Sequence, residues 1–199
     1  MIISSLAVSN KKFSIYGGVT LIELLVALSV LSILLAVGVP SFGQFTVNTR
    51  LNSYTNTLFS HISLARSEAI KRNARVAICK SADGSSCASS GDWSQGWVIF
   101  VDLDNSASIG SGEQVITTAS ALPAGFSFFG NCNINNYISY DAQGMPKLIT
   151  GGFQSGTITM CPAPPAVTGN GREIRLSSAG RVRVVKITSC PVPVPECSS

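Results

Sequence analysis

From Val19 to Val39 the chain is apolar, or small and uncharged, at every position except Glu23. Wound as an α-helix at about 1.5 Å per residue, such a run is long enough for the roughly 20 residues that a bilayer crossing needs. Lys11 and Lys12 precede it without an acid, which places the leading flank on the cytoplasmic side and the rest of the chain across the membrane. Glu23 does not belong to a plain anchor. A charge deep in hydrocarbon costs on the order of 3 kcal/mol and is kept when it has a partner or a purpose. Nor does the run end like a secretory signal, whose cleavage site follows the apolar core. Here the small pair Gly17-Gly18 precedes the core, so a cut after Gly18 removes a basic leader and leaves the helix in place.

The 45% apolar content and 12% charge reflect this segment; the remainder reads as one ordinary Gly/Ser/Thr-rich domain. Six cysteines (Cys79, Cys87, Cys132, Cys161, Cys190, Cys197) all follow the apolar run. Without a CxxC pair they point to disulfides in an oxidising compartment, not to zinc or redox chemistry. Spacing favours Cys79 with Cys87 and Cys190 with Cys197, leaving Cys132 for Cys161, although six cysteines permit other pairings.

Leu51, Tyr54, Leu58, Ile62, Ala65 and Ala69 recur at steps of three and four, one stripe of a helix that continues beyond the apolar run and lays a face on a globular domain. Arg66, Glu68, Lys71, Arg72 and Arg75 read as its solvated side, and Asn73 as its stop. Eight β-like runs follow, 75–80, 96–103, 114–118, 126–129, 137–140, 157–161, 172–176 and 181–187, separated by Gly, Ser, Asn and Pro. A long helix followed by an antiparallel sheet is an α+β arrangement. The run Pro191-Val192-Pro193-Val194-Pro195 cannot join an internal strand and reads as an extended tail.

The stretch Gly18-Val19-Thr20-Leu21-Ile22-Glu23-Leu24-Leu25 resembles the processing site of type IV prepilins and type II secretion pseudopilins. The resemblance implies that a prepilin peptidase cuts after Gly18 and methylates the new amino terminus at Val19, where phenylalanine is usual. It also implies that Glu23 meets the amino terminus of a neighbouring subunit, and that the helix kinks or loosens near Pro40, between Gly38 and Gly43. The segments SHISLARSEAIKRNARVAIC, GDWSQGWVIFVD, SYDAQG and REIRLSSAGRVRV resemble the FimT/GspH group of minor pilins and pseudopilins. The expected layout is then a leader at 1–18, a hydrophobic helix at 19–50 serving as inner-membrane anchor and filament core, and a periplasmic pilin domain at 51–199. Its partners are other pilins or pseudopilins.

No catalytic constellation is legible. His61, the single histidine, lies beside the helical stripe without a nucleophile motif. Asp102, Asp104, Asn105, Ser106 and Glu113 faintly resemble a calcium loop, but Ala107 stands where an EF-hand needs glycine, so an acidic connecting loop explains them. Trp93 and Trp97 read as core or strand residues. The chain is expected to be no enzyme and to need no metal or cofactor.

Charge is segregated. Residues 50–80 carry six bases against Glu68, 81–146 carry six acids and no base, and 147–199 carry six bases against Glu173 and Glu196. In Arg172-Glu173-Ile174-Arg175-Leu176-Ser177-Ser178-Ala179-Gly180-Arg181-Val182-Arg183-Val184 a Ser/Ala/Gly turn joins two strand-like runs, and period two puts Arg181 and Arg183 on one side. Two guanidiniums so placed can grip a phosphate backbone. Gly180-Arg181-Val182-Arg183 resembles the GRxR motif with which FimT-type minor pilins of naturally transformable bacteria bind DNA. That implies Arg181 and Arg183 as principal contacts to double-stranded DNA, with Lys186, Arg172 and Arg175 as further candidates. The competing expectation is a GspH-like pseudopilin, an assembly subunit of a type II secretion system.

Overall fold

The computed structural model describes residues 18–162 and 170–190. The leader ahead of Gly18, Cys197 and the proline-rich tail lie outside the described residues. The chain divides into two compact units, Met1–Phe42 and Gly43–Ser199.

Helix α1 runs Leu21–Arg72 and stays helical through position 40. Its start is set by Thr20, whose carbonyl accepts from Leu24 N–H at 3.1 Å and whose hydroxyl accepts from Glu23 N–H at 3.3 Å. Thr20-Leu21-Ile22-Glu23 is thus a T-x-x-E capping sequence, and Glu23 also lies at the favourable positive end of the helix dipole. Among the described residues no helix is long and apolar enough to cross a membrane. Side chains at 37 and 39–41 lie outside that description, and the described apolar stretch 21–36 is shorter than the roughly 20 residues a crossing needs.

The helix ends where Asn73 adopts a left-handed conformation (φ 49°). Ala74 N–H donates to Ala69 O and Asn73 N–H to Ile70 O, the paired bonds of a Schellman motif that satisfy carbonyls otherwise left open.

Eight strands follow: β1 Val76–Lys80, β2 Trp97–Val101, β3 Val115–Ala119, β4 Phe126–Gly130, β5 Tyr137–Tyr140, β6 Gly156–Pro162, β7 Gly171–Leu176 and β8 Val182–Ile187. All eight fall within two residues of the sequence reading. They form two antiparallel sheets and not one, in the orders β3-β2-β1-β5 and β4-β6-β7-β8.

Both sheets contribute to one core within the second unit. Leu51, Leu58, Ile62, Ala65 and Ala69 of α1 join Val76, Ile78, Trp97 and Ile99 of the first sheet and Phe126, Phe128, Ile158, Met160, Ile174 and Leu176 of the second. Fully burying each large side chain contributes about 1.5–3 kcal/mol, so the helical stripe is held by tertiary packing and not by propensity alone. Trp93 and Trp97 are both fully buried, as expected of core residues. Each indole N–H has an acceptor, the Ile134 carbonyl at 3.1 Å for Trp93 and His61 Nδ1 at 2.8 Å for Trp97.

Cys79 and Cys87 are bonded as expected. The other two expected pairs are not formed: Cys161 of β6 is joined to Cys190 beyond β8, so neither Cys132 with Cys161 nor Cys190 with Cys197 exists. The sheet order is the reason. Strand β7 lies between β6 and β8, and the bridge passes over it at Gly171, where an added Cβ would meet Cys190 Sγ at 2.9 Å. Cys132 is itself disulfide-bonded.

Candidate functional site

Of the six basic residues in the carboxyl-terminal half, all but Lys147 gather on the β7–β8 hairpin. The register pairs Arg175 with Arg183, Glu173 with Val185, and Leu176 with Val182. Side chains alternate across a strand, so Arg175 and Arg183 share one face, and Arg181 joins it two residues before Arg183. The opposite face carries Ile174 and Leu176 into the core. The arginine face looks outward because its neighbours on β7 are the ones that pack.

At the tip, Gly180 N–H donates to Ser177 O at 2.9 Å, and Ser177 N–H to Arg181 O at 3.0 Å. Arg181 N–H donates to Ser177 Oγ at 3.1 Å. Gly180 closes the turn at φ 75°, a conformation that costs a side-chain-bearing residue about 1–2 kcal/mol. Arg175, Ser177, Ser178, Ala179, Arg181 and Arg183 line a shallow groove of about 350 Å³.

Arg181 and Arg183 are exposed and form no ion pair among the described residues. Arg175 is paired: Nη2 lies 2.7 Å and Nε 2.8 Å from Glu173 Oε2. The face therefore offers two free guanidiniums and a third already occupied by a carboxylate.

Arg172 and Lys186 face each other across the hairpin, and their parity sets them on the side opposite Arg175, Arg181 and Arg183. Arg172 Nε donates to Asn52 Oδ1 of α1 at 2.9 Å, and its Nη1 to Gly171 O at 2.8 Å. The candidates thus divide between the two faces of one ribbon, and a single phosphate track laid along one face does not meet all of them.

Arg66 had read as part of a solvated helix side. The structure instead turns it onto the hairpin: Nε donates to Gly144 O at 3.0 Å, Nη1 to Gly180 O at 3.0 Å and Nη2 to Ala179 O at 3.3 Å. Its sequence spacing from Gly180 carries no local signal of this contact. The other bases near the helix end are engaged away from the hairpin, and Arg72 Nη1 donates to Gln114 Oε1 at 2.7 Å. Lys71 and Arg72 pair with Glu68, lowering its pKa chiefly through the Arg72 hydrogen bond, and Arg75 donates to Ser139 Oγ.

Asp102, Asp104 and Glu113 bring one carboxylate oxygen each to within 4.8 Å of one another and are the residues that could hold a cation. Their oxygens already cap backbone amides: Ser106 and Ala107 donate to Asp102, Ser106 to Asp104, and Leu103 and Gly110 to Glu113. Burial raises the Asp102 pKa. An acidic connecting loop that orders itself accounts for the cluster. His61 is half-buried, which lowers its pKa, and its Nδ1 is taken by Trp97. At the other end of the chain, Gly18 and Val19 are exposed just ahead of α1.

Residues 54–180 match the family model described as type II transport protein GspH, and residues 15–39 match the prokaryotic N-terminal methylation motif. No curated protein matches. Among solved structures, the type IV minor pilin FimU of Pseudomonas aeruginosa in space group P21 is 22% identical, with a TM-score of 0.55 over 74% of this chain and 99% of that one. The same protein in space group P65 gives 20% identity and a TM-score of 0.51 over 71% and 100%. The minor pseudopilin EPSH from the type II secretion system of Vibrio cholerae is 9% identical, with a TM-score of 0.46 over 70% and 97%. At these identities the likeness to FimU establishes a shared fold.

Proposed function

Because the chain belongs to the type II transport protein GspH family, we propose that it is a minor type IV pilin whose β7–β8 hairpin holds extracellular double-stranded DNA by the phosphate backbone during uptake. The observation that carries this reading is the pair Arg181 and Arg183, exposed, on one face of a pinned turn and unpaired among the described residues. Residues two apart on a strand are separated by about 6.7 Å, so the two forks engage the backbone at separate points. No aromatic residue lies on β7 or β8, so bases find no stacking platform there and binding is insensitive to sequence.

The amino-terminal match supports the rest of the assignment. In this reading a prepilin peptidase removes residues 1–18, and Val19 becomes the methylated amino terminus. The apolar helix anchors the subunit in the inner membrane before assembly, with the following domain in the periplasm. Glu23 sits fifth in the mature chain and meets the amino terminus of the adjacent pilin, so that neither charge enters hydrocarbon alone. The capping role of Thr20-x-x-Glu23 complements this, as the same first turn must be ordered for that meeting. Pro40 lies where the helix leaves the membrane. The protein acts as a structural and binding subunit.

The test is binding of a labelled DNA duplex by the full chain in non-ionic detergent, titrated against salt. Arg181→Ala/Arg183→Ala is expected to weaken binding and to make the slope of log K against log salt shallower by about 1.8, since each phosphate contact contributes about 0.9. Absence of wild-type binding, or an unchanged slope in a folded double variant, refutes the reading. The second reading, a pseudopilin that serves assembly of a type II secretion system, is equally consistent with the family match, and it then stands.

A further inference from the structure

Arg66 makes three bonds to carbonyl oxygens on two loops that are far apart in sequence, and no ion pair among the described residues. One acceptor lies in the turn after β5, where Gly144 N–H donates to Asp141 O; the other two lie in the β7–β8 turn. Three carbonyls converging on one point repel each other unless a cation with several donors fills it. The planar, five-donor guanidinium does so, and an ammonium on a flexible stem does not match it.

Both loops are built to admit the group. Gly144 has φ +72°, and a Cβ there would meet Ile70 Cδ1 at 2.7 Å and Arg66 Nε at 3.2 Å. Gly180 has φ +75°, and a Cβ there would meet Gly144 O at 2.7 Å and Arg66 Cζ at 3.1 Å. Two turns with positive φ thus press their bare backbones against one side chain of α1. The residue that follows in the chain is Arg181.

We infer that Arg66 is the positioning residue of the DNA-contacting hairpin, joining α1, the 141–144 turn and the 177–180 turn so that Arg181 and Arg183 meet phosphate from a fixed backbone. This role rests on the DNA reading and extends it from the hairpin to the helix. Order before contact is what it supplies: arginines on a loose tip lose conformational freedom on binding, and that loss subtracts from affinity. The Arg66 charge, without a carboxylate beside it, also adds to the positive field under the turn.

The experiment compares Arg66→Gln, Arg66→Lys and the helix control Arg72→Gln with the wild-type full chain in non-ionic detergent, using a DNA duplex as probe. Salt slope, amide exchange at Gly144, Gly180 and Arg181, and thermal melting are followed together. Arg66→Gln is expected to weaken binding about fivefold or more and, as the loosened tip loses one of the two phosphate contacts made by Arg181 and Arg183, to make the slope shallower by about 0.9. It should also speed exchange at those three amides. Arg66→Lys keeps the charge but not the fork, and is expected to melt near wild type while recovering less than half of the lost affinity. Arg72→Gln should leave affinity within about twofold, as expected for a charge already paired on the helix.

Wild-type affinity or wild-type exchange in Arg66→Lys overturns the positioning role even if Arg66→Gln fails to fold. Loss of binding in Arg181→Ala/Arg183→Ala with full retention in both Arg66 variants removes this role alone. Retention in the double variant removes the DNA reading and this role with it.

Discussion

Replacing Gly180 by alanine tests the packed tip with a single methyl group, and Gly112 supplies the control. Both glycines have positive φ, 75° and 84°, but a Cβ at Gly112 meets nothing within 4 Å, whereas one at Gly180 meets a backbone oxygen at 2.7 Å and Arg66 Cζ at 3.1 Å. Left-handed backbone costs alanine about 1–2 kcal/mol, and the stiffer unfolded chain returns about 0.4–1 kcal/mol. Gly112→Ala should therefore destabilise by about 1 kcal/mol. Gly180→Ala adds an overpacking cost of about 1–3 kcal/mol, because the atom met first is main chain and is itself held by Arg66. For a domain of this size each kcal/mol moves the melting temperature by about 2–4 °C. The expected fall is then about 2–4 °C for Gly112→Ala and about 4–16 °C for Gly180→Ala. Intrinsic fluorescence of the buried Trp93 and Trp97 reports melting of the second unit without interference from the apolar helix. Gly180→Ala should also weaken DNA binding with every arginine intact. Equal melting shifts in the two variants would refute the reasoning, since only the close approach distinguishes them.

Glu173→Gln releases Arg175 from its carboxylate and should tighten binding to a DNA duplex about threefold at low salt, a gain in the range of a surface ion pair. It should steepen the salt slope by about 0.9, and an unchanged slope shows that Arg175 does not reach phosphate. Stability should also fall on mild acidification through His61. Its folded pKa is lowered from 6.5 by burial, so its contribution is complete above the unfolded value and is lost as pH falls through the folded one. The melting temperature should drop between about pH 7 and pH 5, and less so in His61→Gln, where the amide oxygen can accept from Trp97 without titrating. Identical profiles for the two proteins over that interval remove His61 as the cause.

Leu51, Leu58, Ile62, Ala65 and Ala69 were legible as a core stripe because helical periodicity is a local property, and Asn73 was legible as a stop because a left-handed cap favours its residue type. The strands were legible as short β-like runs bounded by turn residues, which is also a local signal. The distribution of those strands between two sheets was not, since pairing is decided by which faces bury together. Disulfide partners failed with it: spacing favoured short loops for Cys190, whereas the placement of β7 between β6 and β8 put Cys161 within reach. The candidate site divided in the same way. Gly180, Arg181 and Arg183 stood out as a motif, but the separation of Arg172 and Lys186 from Arg175 follows from register and sheet face. Thr20-x-x-Glu23 is a capping sequence carried by four consecutive residues, and it too is local.

By itself the sequence determined the amino-terminal apolar segment with its carboxylate, the helix that continues it, the positions of the strands and the basic composition of the last hairpin. All of these depend on residues close together in the chain. Tertiary structure alone decided that Arg66 reaches Gly144, Ala179 and Gly180, and that Arg181 and Arg183 remain unpaired among the described residues. A guanidinium spans only a few ångströms, and which carbonyls or carboxylates lie within that reach is fixed when the sheets close over the helix.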